Sequence, residues 1–348
     1  MDHLCFLSKN LYNVANFYIR RRFIKRRKFI SSYQLIKIFT RVNQFDYRSL
    51  PAQTSQQILI LLEKNWKSFF KANKDYKKNP NKYRNRPKIP GYKNKNGKNI
   101  IIFTNQQVRL NNSYIYFPKK SNLGPLKTKI QNVNQVRIIP QATCYVIEVV
   151  YTKEICCADV DKNSYLSIDL GINNFATRSN NVGLNPFIIN GRVLKSMNQY
   201  YNKKKSILMS YVGGKGKSKR LDKLTLKRNN KVNDYLHKTS RFIITYCENN
   251  KIGNIVIGRN RNWKQNINIG SVNNQNFVAI PFSKLINQIE YKAEEVGINV
   301  ILQEESYTSK CSALDLEEIG EHEEYLGRRI SRGLFKTKEG VILNSDVN

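Results

Sequence analysis

The chain has 348 residues, with 60 Lys and Arg against 25 Asp and Glu and a formal net charge of +35. That length allows two or three domains with cores of their own, and so basic a balance points to a polyanion, nucleic acid by default, as partner. No apolar run approaches the roughly 20 residues of a membrane span, and the N-terminus MDHLCFLSKNLYN lacks the charged-then-apolar order of a secretory signal, so a cytoplasmic setting is expected.

Positive charge is concentrated at the start. Residues 1–100 hold 24 Lys and Arg against 4 acids, whereas residues 301–348 hold 6 against 10. From about residue 10 to 78 the apolar spacing is helical, with Ile58, Leu61, Leu62, Trp66, Phe69 and Phe70 recurring at three and four. The run RRRFIKRRKF at 20–29 lies in the same region, which predicts two or three basic helices. KNPNKYRNRPKIPGYKNKNGKN then combines Pro, Gly and Asn and reads as a basic linker or loop. Short strand-like runs follow at 100–103, 114–117, 136–139 and 144–151, predicting a small β-barrel or sheet domain.

The six cysteines form no C-x-x-C pair, so reduced, mostly buried thiols are expected rather than a disulfide framework. SYLSIDLGINNFAT, at 164–177, is an apolar strand that ends in Asp169 and is followed by Gly171, which permits a sharp turn. A long basic region then predicts a helical hairpin whose tip, GGKGKSKR at 213–220, is a cationic finger. NIVIG (254–258), PFSKLINQIEYKAEEVG (281–297) and INVILQE (298–304) complete a β-α-β pattern, so the last part of the chain is expected to be α/β around a sheet.

Taken alone, Asp-Leu-Gly after a strand more often caps a turn than binds a ligand. It has companions, however. ESYTSKCS opens on Glu305 after a second apolar strand, and NSDVN places Asp346 after GVIL. Three strand-end acids in a basic protein suit divalent cations held against a phosphodiester, two Mg²⁺ roughly 3.5–4 Å apart with hard oxygen ligands. These residues support either a metal-dependent nuclease or a nucleic-acid binder.

The blocks SIDLGINNFAT, NNQNFVAIPF, EESYTSKCSALD, RRISRGLF and LNSDVN resemble those of the TnpB family, transposon-encoded RNA-guided endonucleases related to type V CRISPR effectors. KNLYNVANFYIRR, NWKSFFKANKDYKKNPNKYRNRPKIPGYK and VRIIPQATCYVIEVVY extend the resemblance over nearly the whole chain. It implies an α+β multidomain protein: a basic helical recognition region at 1–84, a β-barrel wedge-like domain at 85–158, and an RNase H-like (RuvC) α/β nuclease domain at 159–348. The last would carry an inserted hairpin at about 194–250 and a degenerate zinc-ribbon region at about 311–340. Asp169, Glu305 and Asp346 would hold two Mg²⁺, with Asp169 bridging both. A guide RNA from the transposon end and target DNA would be the partners. RNA-guided DNA cleavage would be the activity, with a nuclease-dead RNA-guided binder or a DDE-type transposase as rival readings.

In such a protein the guide reads sequence and the protein grips backbone. Candidate phosphate contacts are Arg20, Arg21, Arg22, Lys25, Arg26 and Arg27 in the first run, then Lys67, Lys77, Lys78, Arg84, Arg86 and Lys88. Lys215, Lys217, Lys219 and Arg220 at the finger, with Lys264, Arg329 and Arg332, complete the set. Tyr33, Tyr76 and Tyr83 could stack on bases, whereas the helical spacing of Trp66, Phe69 and Phe70 favours a core role.

Three departures from the family are evident. Many members carry a Glu at the end of the strand matching NIVIG, where this chain has Gly258-Arg259-Asn260. A relocated acid is expected, Glu305 or alternatively Glu304, since neighbours in an extended segment face opposite ways. The paired cysteines of a zinc ribbon are replaced by Cys311 and His322 alone, so no zinc is expected. Relative to the family, elements at both termini are missing, which places full activity in doubt.

Overall fold

The computed structural model describes residues 1–348 except 215, 217, 260–269, 306 and 332, with backbone alone at 271–273 and 276. It divides into two compact units, Met1–Lys153 and Glu154–Asn348. No helix among the described residues is long and apolar enough to cross a membrane.

The first unit opens with four helices, α1 (Asp2–Arg26), α2 (Ser32–Arg41), α3 (Phe45–Ser49) and α4 (Ala52–Lys78). Leu4, Leu7, Leu11, Ala15 and Ile19 line one face of α1 at spacings of three and four, and Ile58, Leu59, Leu62 and Trp66 do the same on α4. Helix α1 ends where Arg27 turns left-handed, with Lys25 and Arg26 favourably placed at the negative end of the helix dipole. Helix α2 begins with a reciprocal capping box between Ser31 and Gln34. Trp66 is fully buried, touches the rings of Phe23, Phe29, Phe69 and Phe70, and donates its indole N–H to Asn16 Oδ1 at 3.0 Å. Trp66→Ala is expected to cost about 3–5 kcal/mol, because it opens a cavity and leaves a buried acceptor unpaired. A lowered denaturant midpoint would register this.

The basic stretch after α4 is laid along α1. Asn16 and Arg20 donate to the carbonyl of Pro90, Asn13 exchanges hydrogen bonds with Lys93, and Lys9 donates to the carbonyl of Lys95. Six strands follow, β1 (Ile101–Thr104), β2 (Arg109–Asn111), β3 (Tyr114–Tyr116), β4 (Leu126–Lys127), β5 (Gln135–Pro140) and β6 (Tyr145–Val150).

The expected β-barrel is not formed. The strands make two open antiparallel sheets, β1-β5-β6 and β2-β3-β4. Closure needs edge strands long enough to pair along their length, and β2, β3 and β4 are only two or three residues long, with Pro118 and Pro125 unable to donate. Asn112 and Ser113, both at positive φ, form the tight hairpin between β2 and β3. Ile101, Phe103, Ile115, Val136 and Ile138 face inward and join the helical core.

The second unit is built on a five-stranded mixed sheet. Its elements are β7 (Asp161–Asp169), β8 (Asn174–Asn180), β9 (Phe187–Asn190), α5 (Arg192–Tyr211), α6 (Lys219–Asn249), β10 (Ile252–Gly258), α7 (Ser271–Ala279), α8 (Phe282–Glu294) and β11 (Asn299–Gln303). The order is β11-β10-β7-β8-β9, with β7, β10 and β11 parallel and the meander through β8 and β9 antiparallel. Leu166, Ile168, Ile255 and Ile257 are buried in one core with Leu236 and Ile243 of α6 and Leu285 and Ile289 of α8. Helices α5 and α6 form the predicted hairpin, turning through Gly213 and Gly214 at positive φ. A separate small sheet holds β12 (Arg328–Ser331), β13 (Leu334–Lys336) and β14 (Ile342–Asn344).

Candidate active site

Alternation along β7 buries Leu166 and Ile168, and turns Ser167 and Asp169 the other way. Across the strand pair Ser167 lies opposite Ser179, their hydroxyls 3.1 Å apart, and Asp169 lies opposite Thr177. The turn after Asp169 requires glycine, since a Cβ on Gly171 would stand 2.6 Å from the carbonyl oxygen of Asn174.

Glu305 reaches this strand end from the segment after β11. Its carboxyl hydrogen-bonds Asp169 and is pushed up to about 7, first by burial, then by the charge of Asp169 and that bond. Burial also raises Asp169, the charge of Asp346 adds to it, and the N–H of Leu170 and the bond from Glu305 pull the other way. Two carboxylates this close resist ionising together, so below about pH 7 Glu305 keeps its proton and donates it toward Asp169.

Gly258 explains how Glu305 gets there. A Cβ at that position would fall 1.6 Å from Glu305 Oε1, 2.3 Å from its Cδ and 2.5 Å from its Cγ. The carboxylate of Glu305 therefore occupies the space that a side chain on residue 258 would take, and the missing acid and the relocated one are a single feature. Glu304 is exposed.

Asp346 follows β14. It accepts a hydrogen bond at 2.7 Å from Asn174 Nδ2, while its own N–H is capped by Asn344 Oδ1 at 2.9 Å. The donor set is all carboxylate, the chemistry Mg²⁺ prefers, and the crowding of the half-buried pair would be relieved by a cation. Among the described residues no three His, Cys, Asp or Glu side chains stand close enough together to hold one metal ion. What the fold assembles is a touching pair with a third carboxylate close enough to raise one of them.

Because Glu305 has a higher pKa folded than unfolded, the folded chain holds an extra proton between its ordinary value of 4.5 and about 7. Its contribution is therefore full below about 4.5 and is lost as pH rises through about 7. Metal-free protein is expected to lose melting temperature over that window relative to Glu305→Gln, measured in the presence of a chelator.

Two polar residues of β8 that the sequence did not single out pair with the strand carrying Asp169. Thr177 Oγ1 is buried without a hydrogen-bond partner. On the opposite face Arg178 is 3% exposed, its guanidinium 3.3 Å from the ring centre of Phe187 and 3.1 Å from that of Tyr246. Burial lowers its pKa, and Nε and one terminal nitrogen have no hydrogen-bond partner. In the region where a degenerate zinc ribbon is expected, Cys311 donates to the carbonyl of Gly320 at 3.6 Å and a ring nitrogen of His322 lies 2.7 Å from that of Glu318.

The candidate phosphate contacts divide by environment. Arg21, Arg22, Lys25, Arg26, Arg27, Lys77, Lys78, Arg84, Arg86, Lys88, Lys219 and Arg220 are exposed. Arg20 is turned onto the carbonyl of Pro90 and the ring of Tyr92, Lys67 pairs with Glu63 at 2.9 Å, and Arg329, though exposed, donates to Ser345 Oγ at 2.9 Å. Lys215, Lys217, Lys264 and Arg332 lie outside the described residues. Tyr33 is exposed, whereas Tyr76 and Tyr83 are half-buried against each other.

Residues 145–264 match a family described as "Probable transposase" (OrfB_IS605), and residues 282–348 match the TNB domain of Cas12f1-like proteins. Over these two stretches the chain resembles TnpB-like proteins and type V effectors. A solved Cas12f1-sgRNA-target DNA complex matches 93% of this chain and 76% of its own at 12% identity, with a TM-score of 0.53, which establishes a mixed α+β fold of that kind. A CRISPR-Cas12f ternary complex matches 100% of this chain and 80% of its own at 12% identity, with a TM-score of 0.41. No curated protein matches this chain.

Proposed function

We propose that this chain is an RNA-guided DNA endonuclease encoded by an insertion-sequence transposon, with a RuvC-like, RNase H-type site in its second unit. The observation that carries the reading is the contact of Asp169 with Glu305 at the carboxyl end of the central strand, with Asp346 close by, inside a protein of net charge +35. A half-buried acidic pair would repel a polyphosphate and has no evident structural use, so it calls for a cation.

Asp169, Glu305 and Asp346 would hold two Mg²⁺, which when bound supply charge neutralisation and a nucleophilic water for hydrolysis of a phosphodiester. The chain's own residues do the rest. Asp169 is held in a sheet whose registry sets its direction, Gly258 leaves room for Glu305, and the exposed cations of α1, the stretch after α4 and the start of α6 grip backbone phosphates. A guide RNA from the transposon end and target DNA are the partners that this distribution of charge suits, as in the solved Cas12f1 complex.

The test is to purify the protein with RNA from its flanking transposon end and incubate it with a matching plasmid, with and without Mg²⁺. Cleavage that needs both RNA and Mg²⁺ supports the reading. Alanine at Lys77, Lys78, Arg84 and Arg86 is expected to flatten the salt dependence of RNA binding by about 0.7–0.9 in log-log slope for each phosphate that is no longer neutralised. A second reading, a nuclease-dead RNA-guided DNA binder, is favoured by the absence, among the described residues, of three acids gathered around one point. It gives target binding without product, and joined strands instead of cut ones would indicate a transposase.

A further inference from the structure

We propose that Asn174 is a positioning residue that sets the place of Asp346 and, through it, the affinity of one cation site. The inference rests on the reading of Asp346 as a metal ligand.

Asp346 belongs to a segment that follows the small sheet, which shares no strand with the five-stranded one. Among the described residues, the hydrogen bonds of residues 344–348 run to Gly333, Arg329, Cys311, Ala313 and one another, all within that C-terminal region, with one exception. The exception is the 2.7 Å bond from Asn174 Nδ2 to Asp346 Oδ2. It ties the third acid to β8, the strand beside the one that carries the first.

Asn174 is well placed to transmit that geometry. It is the first residue of β8, where the register to β9 shifts between Asn174 and Ala176, and such an irregularity re-aims a side chain. Its own carbonyl closes against Gly171, in the turn that follows Asp169. One short turn thus fixes both the direction of Asp169 and the donor that receives Asp346.

The residue type also fits. An amide donates to one carboxylate oxygen without neutralising the charge, so the other oxygen stays available to a cation. A lysine there would compete with the metal, and an aspartate would repel the ligand. Partners that orient a ligating carboxylate in this way typically alter metal affinity by about 10–100-fold when removed.

The test uses the full chain in three forms, wild type, Asn174→Ala and Asn174→Leu, the last filling the same space without a donor. Calorimetric titration with Mn²⁺ in the absence of RNA is expected to show one site weakened about tenfold or more in both variants. The Mg²⁺ midpoint of cleavage rises by a similar factor, while the rate at saturating Mg²⁺ stays near that of the wild type. A variant that binds Mn²⁺ as the wild type does, or one whose rate falls equally at every Mg²⁺ concentration, overturns the inference and leaves the nuclease reading intact. A wild type that binds no Mn²⁺ overturns both, and normal cleavage by Asp169→Asn overturns the assignment of the site itself.

Discussion

Asp169→Asn is expected to reduce RNA- and Mg²⁺-dependent cleavage by about a thousandfold or more, while guide-RNA affinity changes by less than about twofold. The substitution is isosteric, so the turn at Gly171 is undisturbed and the N–H of Leu170 keeps an acceptor. What disappears is the negative charge at the one carboxylate that touches Glu305 and feels Asp346. Because burial already disfavours that charge, its removal should leave the melting temperature of the metal-free protein unchanged or raise it. Loss of cleavage without loss of stability separates chemistry from folding. Gel-based plasmid cleavage, filter binding and thermal melts on the same preparations decide the matter, and product formed at the wild-type rate would remove Asp169 from the site.

Gly258→Ala is expected to lower cleavage by about a hundredfold with a change in melting temperature of no more than about 2 °C. The added Cβ would overlap three atoms of Glu305, all in the outer half of a flexible side chain, so the carboxylate swings away and the strand backbone stays. Its backbone is not in the left-handed region, so alanine carries no conformational penalty there. The complementary experiment moves the acid: Gly258→Glu with Glu305→Ala should cleave better than either Gly258→Ala or Glu305→Ala alone. An additive double variant would show that positions 258 and 305 do not serve the same point in space.

Much of the architecture is legible in the residues. The three- and four-residue spacing that ends at Trp66 and Phe70 marks a buried helix face, the glycines at 213 and 214 mark the hairpin tip, and the apolar runs before Asp169, Gly258 and Glu304 mark the three parallel strands. Strands β8 and β9 are not, because NFATRSN and FIIN are short and without clear alternation, and their pairing is set by β7. Closure of the small sheets into a barrel fails as an expectation, since spacing along the chain says nothing about whether edge strands find partners.

Periodicity, charge and the positions of strand ends arise from interactions between near neighbours, which is why the chain carries them openly. Which glutamate turns inward, why residue 258 has no side chain, and how Asp346 meets β8 depend instead on long-range packing. Strand alternation says that Glu304 and Glu305 oppose each other but leaves the direction open, and that direction is set by neighbours 136 and 47 residues away in sequence, Asp169 and Gly258. A buried cation such as Arg178 is equally invisible along the chain, because the aromatic faces that replace its water come from β9 and α6, brought together by folding alone.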